Sequence, residues 1–301
     1  MHRAKILDVL TQQGHAQFTA EVAALVQPAI FIRGTRLARR PPWFEGQEED
    51  VELDEDTGEP VAPGPSLDEA LPALPLGASR FGGLPDLPPG VGWPTRDDLP
   101  MEFIAQLRLA DVSPLDPLGR LPPRGSLLFF FNSQWLTSDQ GEGACAAVLF
   151  HGGADQDLVR TPAPRVAYQG EYDPQPRFAP FVHGLASLGF TPFECVPGGA
   201  SPFVTGALAD VWLDLCACHD TEWAPQGDEP YVANRVLGYV DAQDQIGAHR
   251  HGTADQLLLQ VDSDHSAGFA WGDMDRLYFM LTKAELAARD FGNVRVYQQL
   301  G

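Results

Sequence analysis

The sequence predicts an α+β fold: a β-rich core with internal duplication of a β unit, preceded by a short N-terminal helical segment. Three observations carry this. Apolar residues alternate or run densely in blocks of strand length around 102–109, 127–131, 257–261 and 277–281. Of the 27 prolines, 14 fall in residues 60–125, which excludes long helices there, because proline lacks the amide proton and fixes φ. Several of the blocks also recur in the same order at nearly the same spacing.

Taken in order, residues 2–27 carry helical periodicity. Ile6, Leu7 and Leu10 share a face, with Gly14 as the stop. Phe18, Val22, Leu25 and Val26 form a second stripe that Pro28 ends, and Ala29–Ile32 reads as a strand. Residues 45–59 hold nine acidic side chains, a self-repelling run expected to be a solvated loop. Asp54–Gly58 lacks the spaced ligands and terminal glutamate of a calcium loop. In Glu102–Leu109, Phe103, Ala105, Leu107 and Leu109 alternate with polar residues, the pattern of a half-buried strand. Leu127–Phe131 suits a buried strand, and Ala146–Phe150 and Val166–Gln169 read as short ones. Residues 206–219 carry a helical stripe of Leu208, Val211, Trp212, Leu215 and Cys216. Strands follow at Leu257–Val261 and Leu277–Leu281. Thr282 and Glu285 then form a capping box for a helix ending near Asp290, and Val294–Tyr297 closes as a strand. Residues 1–78 thus hold the helical segment, a strand and the acidic loop, residues 79–301 hold the duplicated core, and the two form one compact domain.

The first copy of the repeat runs through Gly83 and Asp86 to Gln106, and the second through Gly238 and Asp241 to Gln260. The glycine-to-glutamine spacing is 23 residues in one and 22 in the other. Two such halves are expected to pair about a pseudo-twofold axis. A glutamine inside an apolar strand costs roughly 1–3 kcal/mol unless its amide is hydrogen-bonded. Gln106 and Gln260 are therefore expected to bind backbone at equivalent places.

Ser79-Arg80-Phe81-Gly82-Gly83-Leu84-Pro85, Trp93-Pro94 and Phe103-Ile104-Ala105-Gln106-Leu107 resemble the first block of the YwqG-like family. Leu257–Asp264 with Trp271-Gly272-Asp273 resembles its second block, and Arg289–Val294 its C-terminal end. The likeness spans about 79–296 and departs in the acidic insertion and in Val240, where the second block usually carries proline. It implies a bacterial, cytoplasmic α+β protein of unknown function with a repeated β-rich core, and it brings no catalytic residues with it.

Acids outnumber bases 41 to 20, a net charge of −21, which disfavours nucleic acid as a partner. No apolar run reaches the roughly 18 residues of a membrane span. Met1–Lys5 leads into a segment with Asp8 and Gln12 rather than an apolar signal core, so no secretory signal is expected. Arginine outnumbers lysine 18 to 2, as in proteins of GC-rich bacteria, and four cysteines in a chain of this length suit a reducing cytoplasm.

Asp262 and Asp264, two apart at a strand end, could hold a hard cation together with Asp273, or cap the turns around Gly268 and Gly272. His249 and His251 would share a face if extended, but they lack a third zinc ligand at recognisable spacing. Cys216 and Cys218 lack the spacing of a zinc knuckle or redox pair. Nucleophile elbows, phosphate loops and dinucleotide fingerprints are missing from the sequence. The expectation is a non-catalytic binding module with no metal and no cofactor, its acidic surface suited to a basic protein partner. The binding residues are expected to be Trp93, Asp262, Asp264, Trp271 and Asp273, since tryptophan in a Gly- and Pro-rich loop is a common interface anchor. The alternative is an enzyme or small-ligand binder with its site in the cleft between the two repeats.

Overall fold

The structure, a computed structural model, describes residues 3–39, 64–133, 145–169, 176–198, 201–212, 233–240, 253–271 and 276–298. The acidic run 45–59, Asp241, Asp273 and the groups at His249–His251 and Cys216–Cys218 lie outside the described residues.

Two helices open the chain, α1 (Arg3–Gln12) and α2 (Thr19–Leu25). Gly14, at φ +79°, follows α1 in the left-handed region that glycine enters without steric cost. Leu10 and Val22 bury against Val204, Leu208 and Trp212, so the amphipathic stripes face a small core of their own. Residues 206–208 form a 3-10 turn that runs on as helix to Trp212, where the described part of the expected 206–219 helix stops.

Ten strands make the main sheet. They are β1 (Gln27–Ala38), β2 (Arg80–Gly82), β3 (Glu102–Arg108), β4 (Ser126–Phe131), β5 (Ala146–His151), β6 (Leu185–Cys195), β7 (Arg235–Val236), β8 (Asp255–Asp262), β9 (Arg276–Thr282) and β10 (Arg295–Gln298). Their order is β10-β9-β8-β7-β1-β6-β2-β3-β4-β5, with every neighbouring pair antiparallel. The long β1–β6 ribbon lies in the middle, flanked on one side by the four strands of 80–151 and on the other by the four of 235–298.

The sheet curls into a near-barrel. Phe129 of β4 meets Phe279 of β9 edge-on at 5.2 Å, and Phe150 of β5 approaches Phe291 at 5.4 Å, bringing the two outer ends of the sheet together. Ile104, Phe129, Phe131, Leu259 and Phe279 fill the interior. The helix α3 (Lys283–Ala288) starts at Thr282, whose hydroxyl accepts from the Glu285 amide while the Glu285 carboxylate accepts from the Thr282 amide. Arg289 ends it in the left-handed conformation.

Register matches recur on the two sides of the central ribbon. Arg80 lies opposite Gln106, and Arg235 opposite Gln260. A bulge separates Phe103 from Ala105 in β3, and another separates Leu257 from Leu259 in β8. Beyond those bulges Ala105 pairs with Phe129 and Leu259 with Phe279. Gly83 and Gly238 both hold positive φ, +69° and +78°. At Gly238 a β-carbon would come within 2.6 Å of Cys195 Sγ and 2.7 Å of the Ala29 methyl, so only glycine fits there.

The strand at 102–108 is not half-buried. Six of its seven residues are buried, because its outer face is covered by Leu87, Met101 and Trp93. Strand β6, the second longest, breaks its own pattern with Gly189 and Pro192. It tolerates Pro192, opposite Ile30, because β2 pairs only with residues 185–187.

Candidate functional site

Strand β8 delivers Asp262 and the following turn delivers Asp264, both only 4% exposed. Asp262 Oδ2 accepts from the Ala233 amide at 2.7 Å and faces Arg276 Nε at 3.1 Å, while Oδ1 accepts from the Ser263 amide at 2.9 Å. Asp264 Oδ2 accepts from Asn234 Nδ2 at 2.6 Å, and Oδ1 from the Ser266 amide at 2.8 Å. Asn234 closes the network by accepting from the Asp262 amide at 2.8 Å. These oxygens hold the 262–269 turn and its neighbour strand, and a hard cation would have to displace those donors. Burial pushes the Asp262 carboxyl above its ordinary range, outweighing the pull of Arg276 and of the Ala233 and Ser263 amides.

Trp271 is 4% exposed. Its indole donates to the Asp262 carbonyl at 3.1 Å, stacks on Phe269 at 5.0 Å and meets Phe131 edge-on at 5.9 Å. Trp93 stands elsewhere. Its indole donates to the Met101 carbonyl at 2.8 Å and packs edge-on against Phe130 at 5.8 Å. Phe130 and Phe131 are adjacent on β4 and point to opposite faces, so the two tryptophans lie on opposite sides of the sheet. The structure therefore brings Asp262, Asp264 and Trp271 together and leaves Trp93 apart.

A second polar network gathers on Asp86. Its carboxylate pairs with Arg80 Nη1 at 3.0 Å, both side chains fully buried, and with Arg160 Nε at 2.9 Å. It also accepts from the Gly77 amide at 2.8 Å and from Gln106 Nε2 at 3.2 Å. Gln106 Oε1 accepts from the Asp86 amide, and its Nε2 donates to the Ala78 carbonyl. On the other side, Gln260 Nε2 donates to the Ala233 carbonyl at 2.6 Å and Arg235 donates to the Tyr239 carbonyl at 3.4 Å. Arg80 donates likewise to the Leu84 carbonyl, four residues on.

Sequence reasoning missed a buried pair. Glu102 Oε2 and His183 Nε2 share a hydrogen bond of 3.0 Å, and Ser133 donates to the other carboxylate oxygen. The imidazole is boxed by Phe181 and Phe269 at 4.8 Å and Trp271 at 5.5 Å. Its Nδ1 has no hydrogen-bond partner among the described residues. Since 81 residues separate the pair, no local pattern announces it.

Also missed was a narrow cleft on the outer face of β8 and β9. Phe203, Tyr239, Val240, Leu257 and Met280 wall it, and Lys283 stands at its rim. Burial, with the nearby Cys195, pushes the Tyr239 hydroxyl up to about 12, so it stays a neutral donor, held on the Leu25 carbonyl at 2.8 Å. Among the described residues no group of three or more metal-ligating side chains assembles, and no helix is long and apolar enough to cross a membrane.

Fold and site together define a curled, all-antiparallel ten-stranded sheet whose buried acidic and amide side chains serve internal networks. The chain belongs to the family described as Domain of unknown function (DUF1963), whose model matches residues 79–299. Strand β1 lies outside that match yet sits between β7 and β6 in the middle of the sheet. No curated protein matches the chain.

Proposed function

We propose that this chain is a non-catalytic, YwqG-like binding module of the bacterial cytoplasm whose partner is a basic protein. The observation that carries the reading is a charge of −21 combined with the internal use of cations. Arg80 and Arg160 are held on Asp86, Arg120 on Asp116 and Arg276 on Asp262, so those guanidinium groups do not offset the acidic surplus elsewhere. An acidic field of this size speeds encounter with a basic surface and disfavours acidic ones. Free thiols at the buried Cys145 and Cys195 accord with a reducing compartment.

The paired registers Arg80–Gln106 and Arg235–Gln260, the matching bulges and the strand order on either side of β1–β6 support an origin by duplication. On that reading the two halves relate by a pseudo-twofold axis through the central ribbon.

The test is affinity capture from a bacterial lysate, followed by affinity measurement with each purified partner. A basic partner is expected, with Kd rising at least tenfold between about 50 and 300 mM salt. Removing residues 45–59, which lowers the net charge from −21 to −12, is expected to slow association. A partner of neutral or acidic surface, or an affinity indifferent to salt, overturns the reading.

A further inference from the structure

The same register positions carry different covers on the two sides of the sheet. In β3 and β4, Phe103 lies opposite Phe130, and the Trp93 indole packs on Phe130. In β8 and β9, Leu257 lies opposite Met280, and this pair lines the cleft together with Phe203 and Tyr239. One side thus fills the place with its own flat ring system, while the other offers a slot of like position lined by a flexible thioether and two aromatic rings. Methionine adapts to a guest ring, and Phe203 and Tyr239, edge-on at 5.1 Å, give the slot aromatic walls.

The rim supplies the polar half. Lys283 is one of two lysines in the chain. Its ammonium donates to the Thr253 carbonyl at 2.8 Å and lies 5.3 Å from the Phe203 ring, and among the described residues it makes no ion pair. Among the described residues, two of its three N–H donors are therefore left over. Asp255, which also lines the cleft, pairs with Arg295 at 2.9 Å and makes no ion pair with Lys283.

We propose that this cleft binds a small, flat, apolar carboxylate, its ring system on Leu257 and Met280 beside Phe203, and its carboxylate on Lys283. The charge of the guest follows from an ammonium that makes no ion pair among the described residues, and its flatness from the narrow slot and from the indole that occupies the corresponding place. The site requires no protein partner, so it stands independently of the basic-partner reading.

The experiment uses 2-naphthoate as probe with the full-length chain. Fluorescence titration is expected to show one-to-one saturation with Kd of about 1 mM or tighter. The methyl resonance of Met280, one of four methionines, is expected to shift during the titration. Lys283→Gln is expected to weaken 2-naphthoate about fivefold while leaving the affinity for uncharged 2-naphthamide unchanged. Absence of saturation, a Met280 methyl that does not move, or equal 2-naphthoate affinity in wild type and Lys283→Gln overturns the proposal.

Discussion

Asp86 and Arg80 form an ion pair of 3.0 Å with both side chains fully removed from solvent. Around that pair the Gly77 amide, Gln106 and Arg160 converge, so one carboxylate ties together β2, β3, the 75–78 loop and the chain at 160. A buried pair of this kind adds little over an apolar substitute, but breaking it leaves a charge in a medium that cannot solvate it.

Asp86→Asn is therefore expected to cost about 3–5 kcal/mol, read by urea denaturation at pH 7. Burial pushes the Asp86 carboxyl up, but Arg80, then Arg160 and the Gly77 amide, outweigh it and hold its pKa below the ordinary value. The folded state thus binds the proton less tightly than the unfolded one. The stability from this carboxylate is present above its unfolded pKa of about 4 and is lost as pH falls through the folded value. The gap between wild type and Asp86→Asn should narrow on acidification below about pH 4. A gap that stays constant to pH 2 would show that Asp86 carries no linked proton.

Asp262 gives the opposite sign. Its pKa is raised by burial despite Arg276 and two amides, so the folded state binds its proton more tightly than the unfolded one. Its contribution is then greatest below the unfolded value near 4 and declines as pH rises through the folded pKa. The stability lost in Asp262→Asn should therefore shrink between about pH 4 and pH 7, where that lost in Asp86→Asn grows or holds. Thermal melts of the two variants across that range check the contrast, and parallel profiles would contradict it.

The two tryptophans separate by burial. Trp271→Ala empties a core position, and about 3–5 kcal/mol of lost stability is expected. Trp93 is half-buried, so Trp93→Ala should cost about 2 kcal/mol and leave the protein folded at 25 °C. If Trp93 anchors a protein partner, the same variant weakens that partner by more than its stability loss accounts for. Equal stability losses in the two variants would mean that the outer cover of β3 and β4 is as integral as the interior.

Much of the strand framework was legible because dense apolar runs such as Leu127–Phe131 and the Thr282–Glu285 cap depend on neighbours in the chain. Strand β6 was not, because Gly189 and Pro192 interrupt its pattern, and only the register with β1 and β2 shows why proline is tolerated there. The half-buried reading of Glu102–Leu109 failed for a related reason. The bulge at Ile104 breaks the period of two, and Trp93, nine residues upstream of Glu102, buries the face expected to be wet. At the candidate site, Asp262, Asp264 and Trp271 are sequence neighbours that stay together. Trp93 could not be placed relative to them, since the face of β4 that each indole covers is a tertiary fact. The cleft at Lys283 joins residues 203, 239, 257 and 280, which no local pattern connects.

The Glu102–His183 pair invites a test of whether it serves the fold. Glu102 is 7% exposed and His183 4%, and only their mutual bond and the Ser133 hydroxyl satisfy the Glu102 oxygens among the described residues. His183→Phe keeps a ring among Phe181, Phe269 and Trp271 and removes an Nδ1 that has no partner among the described residues, but it deprives Glu102 of its hydrogen-bond partner at Nε2. The carboxylate then remains buried with one hydroxyl, and a loss of about 3 kcal/mol is expected. Glu102→Leu alone leaves Nε2 unpaired, at about 1–3 kcal/mol. The double variant replaces the pair by apolar groups and should cost about 2 kcal/mol or less, giving a coupling energy of about 3 kcal/mol in a double-mutant cycle. Urea denaturation of the four proteins measures it. A coupling under about 0.5 kcal/mol would show that the two side chains contribute independently, and that the hydrogen bond between them does not hold β3 to the segment entering β6.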